Sequence, residues 1–244
     1  MKLKILICIL LVISMIFCIV GCVNREVEID GVTYELHNLD GEKFYYIGHI
    51  SSTGDNSPLY IPDEINGIPV TGLGHSAFMM GYYIKISGVE KVYFPWSISY
   101  SPQGNITYVK ENFSVKYVIS PSTTTLIDDH SLRIFVVAKP LFDQYEATSG
   151  VKNNIIPANV AYMFNYQDEP NEGYFFVDLL ETSGIIIEPP YLPKRDGYVF
   201  EGWYRDENCT KKWNFKTDTL TIDFDENGNR IYEEFRLYAK WIKQ

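Results

Sequence analysis

Twelve residues near the C-terminal end carry the side chains best suited to hold a hard cation. Asp223-Phe224-Asp225-Glu226-Asn227-Gly228 is followed by Glu234 at the twelfth place. Oxygen ligands at alternate positions, a glycine at the sixth and a carboxylate at the twelfth make the pattern of a calcium loop, with Asp223, Asp225, Asn227 and Glu234 as its candidate ligands. The flanks, Thr219-Leu220-Thr221-Ile222 and Phe235-Arg236-Leu237-Tyr238, read as strands rather than helices, and Arg230 holds the eighth place, where an aliphatic residue is usual. The competing reading is an acidic hairpin turn with Asn227-Gly228 as its turn pair. Other chemistry is sparse. Gly74-His75-Ser76-Ala77 starts like a nucleophile elbow, but Phe78 stands where a second glycine is needed. His37, His49, His75 and His130 show no paired metal spacing, and no glycine-rich phosphate loop follows a strand. The expectation is a non-catalytic chain with no cofactor. Carboxylates distant in sequence can still meet in a fold, so an envelope hydrolase is the enzymatic alternative.

Cys22 offers a different chemistry. Lys2 and Lys4 precede an almost wholly apolar run, residues 5–20, and Ile19-Val20-Gly21-Cys22 closes it. A basic start, an apolar centre and a small residue at the end make an export signal. With cysteine directly after the glycine, residues 1–21 resemble a lipoprotein signal peptide. That resemblance implies cleavage before Cys22 and acyl chains on its thiol and new amino end. An uncleaved anchor is the alternative, although a span needs about 20 apolar residues and this run is shorter. Removing Lys2 and Lys4 and no acids takes the formal charge from −10 to −12 (−10 − 2). Nucleic acid needs a basic surface, so it is excluded as a partner, while neutral glycans and proteins remain open. Of four cysteines, Cys8 and Cys18 leave with the signal and Cys22 is acylated, so Cys209 has no disulfide partner. It reads as a small buried side chain or a reactive thiol.

The elements that follow are strand-like. After a tether at 22–27, Val32-Thr33-Tyr34-Glu35-Leu36 alternates, Asp40-Gly41 punctuates, and Phe44-Tyr45-Tyr46-Ile47 resumes, which predicts a hairpin. Leu59-Tyr60-Ile61-Pro62-Asp63-Glu64-Ile65 then matches Val92-Tyr93-Phe94-Pro95-Trp96-Ser97-Ile98 in form, and Tyr117-Val118-Ile119-Ser120-Pro121 is a weaker third copy. Such self-similarity predicts stacked units, each placing one short strand in a parallel ladder. With Gly67-Ile68-Pro69-Val70-Thr71-Gly72-Leu73-Gly74 and Ala77-Phe78, the segment resembles the BspA-type leucine-rich repeat. The resemblance implies a short solenoid over 28–151, capped by the hairpin.

Residues 152–244 read as a second unit. Strand-like residues at 158–166 and 174–180 flank the turn Asp168-Glu169-Pro170-Asn171-Glu172-Gly173. Pro190, Pro193, Gly197-Tyr198, Phe200, Gly202-Trp203-Tyr204, Trp213-Asn214-Phe215 and Leu237-Tyr238-Ala239-Lys240-Trp241 then follow in order. This pattern resembles the Listeria–Bacteroides repeat, also called the internalin B-repeat, and implies a small β-grasp-like domain. Trp203, Trp213 and Trp241 fall on separate predicted strands and are expected to meet in one core. The fold class expected is mainly β (β-rich α+β). Signal and modules together imply a lipid-anchored protein on the extracellular face of a membrane, contacting a surface protein or glycan through 59–126. Trp96, Tyr82 and Tyr83 are the candidate contact rings, and a purely structural spacer is the remaining alternative.

Overall fold

A computed structural model describes residues 26–50, 58–73, 91–95, 117–119, 134–149 and 155–244. Cys22, the 74–78 stretch, Tyr82, Tyr83, Trp96 and His130 lie outside them. In chain order the described strands are β1 (Glu26–Ile29), β2 (Val32–Leu39), β3 (Glu42–Ile50), β4 (Leu59–Tyr60), β5 (Glu64–Ile65), β6 (Ile68–Leu73), β7 (Lys91–Tyr93), β8 (Tyr117–Ile119) and β9 (Ile134–Val137). Helix α1 (Lys139–Ser149) comes next. Strands β10 (Ile155–Pro157), β11 (Val160–Met163), β12 (Tyr174–Asp178), β13 (Tyr198–Tyr204) and β14 (Phe235–Lys243) follow it. Among the described residues no helix is long and apolar enough to cross a membrane.

The first sheet has the order β1-β2-β3-β6-β5. One turn chemistry builds it three times. Asp30-Gly31, Asp40-Gly41 and Asn66-Gly67 each place two successive residues at positive φ. Such pairs join antiparallel strands with the twist that strands prefer. Alternation then sends Val32, Tyr34, Tyr45 and Ile47 inward.

The second sheet is a ladder of parallel strands, β10-β9-β8-β7-β4. Leu59 pairs with Val92, Val92 with Val118 and Val118 with Phe135. The short strands at 59–60, 91–93 and 117–119 thus lie side by side, as the repeated sequence predicts. Backbone bonds from Ile61 N to Tyr93 O (2.9 Å) and from Phe94 N to Ile119 O (2.8 Å) extend the pairing one residue further. Pro62 and Pro95, which lack the N–H a further rung needs, come next. The repeat-like segment 59–73 is divided between sheets: Leu59–Tyr60 joins the ladder, while Glu64–Ile65 and Ile68–Leu73 turn back into the first sheet.

The ladder is buried on both faces, which explains the unbroken apolar run Ile134-Phe135-Val136-Val137. Val92, Phe135 and Val137 pack with Val32, Tyr34, Ile47 and Val70 of the first sheet. The alternate residues Tyr93, Ile119 and Val136 join Tyr162, Phe176, Trp203 and Leu237 on the other side. The described residues therefore form three layers with the ladder in the middle.

The third sheet, β12-β11-β14-β13, is mixed, with β11 and β14 parallel at its centre. The expected strand at 158–166 is shorter, and β10, two residues ahead of β11, belongs to the ladder. Residues 155–244 contain no α-helix; one 3-10 turn spans Asn171–Gly173. Ile186, Tyr191, Trp213, Phe215 and Leu220, all from loops, pack against the core instead. Trp203 is 1% exposed and Trp213 is buried, but Trp213 sits on a loop, held by its N–H to Trp203 O (2.8 Å). Trp241 packs at the rim.

Candidate functional site

The acidic loop resolves into a turn. Asp225 N donates to Asn229 O (2.8 Å) and Gly228 N to Asp225 O (3.0 Å). The Asp225 carboxylate is spent on its own loop: Oδ1 accepts from Asn227 N (2.9 Å) and Asn229 N (2.7 Å), and Oδ2 from Asn229 Nδ2 (3.0 Å). These donors hold its pKa below the ordinary value. Glu234 turns elsewhere, accepting from the Tyr174 hydroxyl (2.9 Å) and pairing with Arg236. Asp223, Asp225, Asn227 and Glu234 are not gathered around one point. Among the described residues no three Asp, Glu, His or Cys side chains come together to hold a metal.

Cys209 lies in a tight turn at φ 53°. Its Sγ accepts from Asn165 Nδ2 (3.4 Å), and burial, then the nearby Asp206, push the thiol pKa up. That is the setting of a quiet structural cysteine. His37 stacks on Phe44 (ring centroids 5.7 Å apart), with Glu35 at 3.6 Å from its Nε2.

Two clusters were not foreseen from the sequence. The first is a buried ion pair between the ladder and the third sheet. Asp178 ends β12 and is 3% exposed. Its Oδ1 accepts from Tyr93 OH (2.7 Å) and Leu179 N (2.7 Å), and Lys91 Nζ stands 3.3 Å away. Lys91 also donates to Leu179 O at 2.8 Å. Burial lifts the Asp178 pKa, and Lys91, Tyr93 and Leu179 pull it back without cancelling the rise. The same carboxylate, added to burial, pushes Tyr60 up to about 12. Rings continue the seam: Tyr60 stacks on Tyr93 (4.6 Å), Tyr93 on Phe176 (5.3 Å), and Phe176 meets Tyr162, which meets Trp203. Buried Asn159 clasps Leu180 in both directions, at 2.9 and 2.8 Å. The signal in the sequence was Asp178 itself, the one charge closing the run Tyr-Phe-Phe-Val.

The second cluster lies on the surface of the third sheet. Arg195-Asp196-Gly197-Tyr198 is a turn, closed by Tyr198 N to Arg195 O (3.1 Å), with Gly197 at φ 75°. Gln244 N to Gly197 O (3.0 Å) ties this turn to the end of β14. The turn lays the Arg195 guanidinium over the Tyr198 ring at 3.7 Å and the Tyr166 ring at 4.4 Å. Tyr166 meets Trp241 edge-on (5.8 Å), and Trp241 is locked by its Nε1 to Phe164 O (2.6 Å). The arrangement can do no covalent chemistry; it presents a fixed cation among rings.

Comparison with known proteins agrees with this module. A Listeria-Bacteroides repeat domain is found at residues 162–240. A "Putative Gly-rich membrane protein" of Evansella cellulosilytica is 37% identical over 73 residues, which is 30% of this chain and 7% of that protein. A "Putative membrane protein" of the same organism is 39% identical over 56 residues, 23% of this chain and 7% of its own length. The chain thus spans only a small part of these relatives.

Proposed function

We propose that this is a membrane-anchored cell-surface protein whose folded part makes non-catalytic contacts with another protein or a glycan. The observation that carries the reading is the repeat domain, fused through the Tyr93–Phe176–Tyr162–Trp203 seam to a parallel ladder. A packed core on each face of the ladder, one shared with the first sheet and one with the third, suits a body that must transmit a fixed geometry from anchor to contact face. The ladder strands read as part of a short leucine-rich-repeat-like solenoid, with the first sheet packed on one face. The names of the two relatives support a membrane setting. Anchorage rests on acyl chains at Cys22, each buried methylene adding about 0.8 kcal/mol.

The test is protease treatment of intact bacteria expressing the full chain, beside a Cys22→Ala variant. The expected result is digestion of the membrane-bound wild type while a cytosolic marker survives, with the variant left at its uncleaved length. A chain protected inside intact cells overturns the reading.

A further inference from the structure

We infer that Arg195, with Tyr166, Tyr198 and Trp241, is a receptor for a carboxylate on a partner protein segment. The inference deepens the contact role proposed above and rests on it. Three observations carry it.

The first is an unspent cation. Among the described residues no carboxylate, carbonyl or hydroxyl accepts from the Arg195 guanidinium; its contacts are the faces of Tyr198 and Tyr166. A guanidinium has five N–H donors in a planar fork that matches a carboxylate. Stacking occupies its face and leaves the edge for hydrogen bonds. Several neighbouring cations have carboxylate partners: Lys194 with Glu64 (2.8 Å), Lys240 with Glu201 (2.8 Å) and Arg236 with Glu234. Lys243, directly opposite Tyr198 in the strand register and exposed, adds a second positive charge at the edge.

The second is preorganisation. A glycine turn, a backbone bond from the last residue and two rings hold Arg195, so little freedom is lost when a partner arrives. Asn165, at φ 56°, sets Tyr166 in place through bonds from its Nδ2 to Ala239 O (3.1 Å) and Glu207 O (3.0 Å).

The third is composition. Tyr, Trp and Arg are the residue types that carry most binding energy at protein interfaces. The occupant that fits is a segment with a carboxylate next to an aromatic or apolar side chain: the acid meets Arg195 and the apolar group meets the rings. Glu169 and Asp196, whose charges act on Tyr166, disfavour a partner of dense negative charge.

The probe is a biotinylated glycine–serine peptide carrying one aspartate beside one tyrosine, with asparagine in place of that aspartate in the neutral control, read by biolayer interferometry on the full chain at low salt. The aspartate peptide is expected to bind at least tenfold more tightly. Arg195→Ala is expected to remove at least tenfold of that affinity with an unchanged melting temperature. Arg195→Lys keeps the charge without the fork and is expected to recover only part. Equal binding of the two peptides, no binding of either, or an Arg195→Ala chain that binds like wild type overturns the inference. None of these outcomes bears on cellular location, so the surface reading stands or falls separately.

Discussion

Replacing Lys91 by methionine isolates the charge at the seam between ladder and third sheet. Asp178 loses the cation 3.3 Å away and keeps Tyr93 and Leu179 as donors. At an effective dielectric of 20 the pair attracts by about 5 kcal/mol, which is the gross term before desolvation. The protein has a cheaper escape, because Asp178 can take up a proton. Protonating a carboxyl of ordinary pKa at pH 7 costs about 4 kcal/mol, three units at 1.36 kcal/mol each. Burial has already lifted Asp178 above that ordinary value, which lowers the ceiling. The expected loss is therefore about 3 kcal/mol at pH 7, within the range for breaking buried pairs. The sign with pH follows. Without Lys91 the folded pKa of Asp178 rises further, so the wild-type advantage exists above its own folded pKa and disappears as pH falls through it. Urea unfolding followed by tryptophan fluorescence should show the deficit shrinking as pH falls through the Asp178 pKa, which burial holds above the ordinary carboxylate value. Adding Asp178→Asn to the Lys91→Met chain should restore most of the pH 7 loss. An equal loss at pH 4 and pH 7, or no rescue by the second change, refutes an electrostatic role and leaves packing as the cause.

Three other outcomes follow from the same geometry. Trp203→Ala empties the centre of the third sheet, where the ring touches Tyr162, Phe175 and Phe200, and should cost about 3–5 kcal/mol in the same unfolding assay; an unchanged transition contradicts the core placement. The Asp225 carboxylate is already satisfied by its own turn, so millimolar calcium should leave the melting temperature unmoved, whereas Asp225→Ala should lower it slightly; a calcium-dependent rise in melting would reverse that assignment. The Cys209 thiol, raised by burial, should alkylate more slowly than glutathione at pH 7 and speed up steeply above pH 9, read by peptide mapping; fast labelling at neutral pH would show a reactive thiolate.

Much of the scaffold was legible because it rests on local rules. Asp40-Gly41 between alternating strands can hardly be anything but a tight hairpin, and the repeated aliphatic–aromatic–Pro units at 59–62 and 92–95 declared parallel neighbours. The hallmark residues of the C-terminal module pointed to the repeat domain found there. What stayed hidden depends on the third dimension. That the Pro69–Val70 segment turns back to the first sheet depends on the positive φ of Asn66 and Gly67. Lys91 and Asp178 lie 87 residues apart, and nothing in either neighbourhood announces the other. Trp213 looked like a strand residue because a bulky ring beside Phe215 has strand propensity, yet a single backbone bond to Trp203 places it from a loop. Arg195 falls at an unspecified position between Pro193 and Gly197 of the family pattern, and only the turn that lays it over two tyrosines shows that its charge is unspent.

The central claim, a folded three-layer body held to a membrane surface at Cys22, is tested most directly by the intact mass of the native protein from its membrane fraction. The account predicts a chain beginning at Cys22 with the added mass of two or three acyl chains. A full-length chain with an unmodified Met1, recovered from the cytosol, would contradict it.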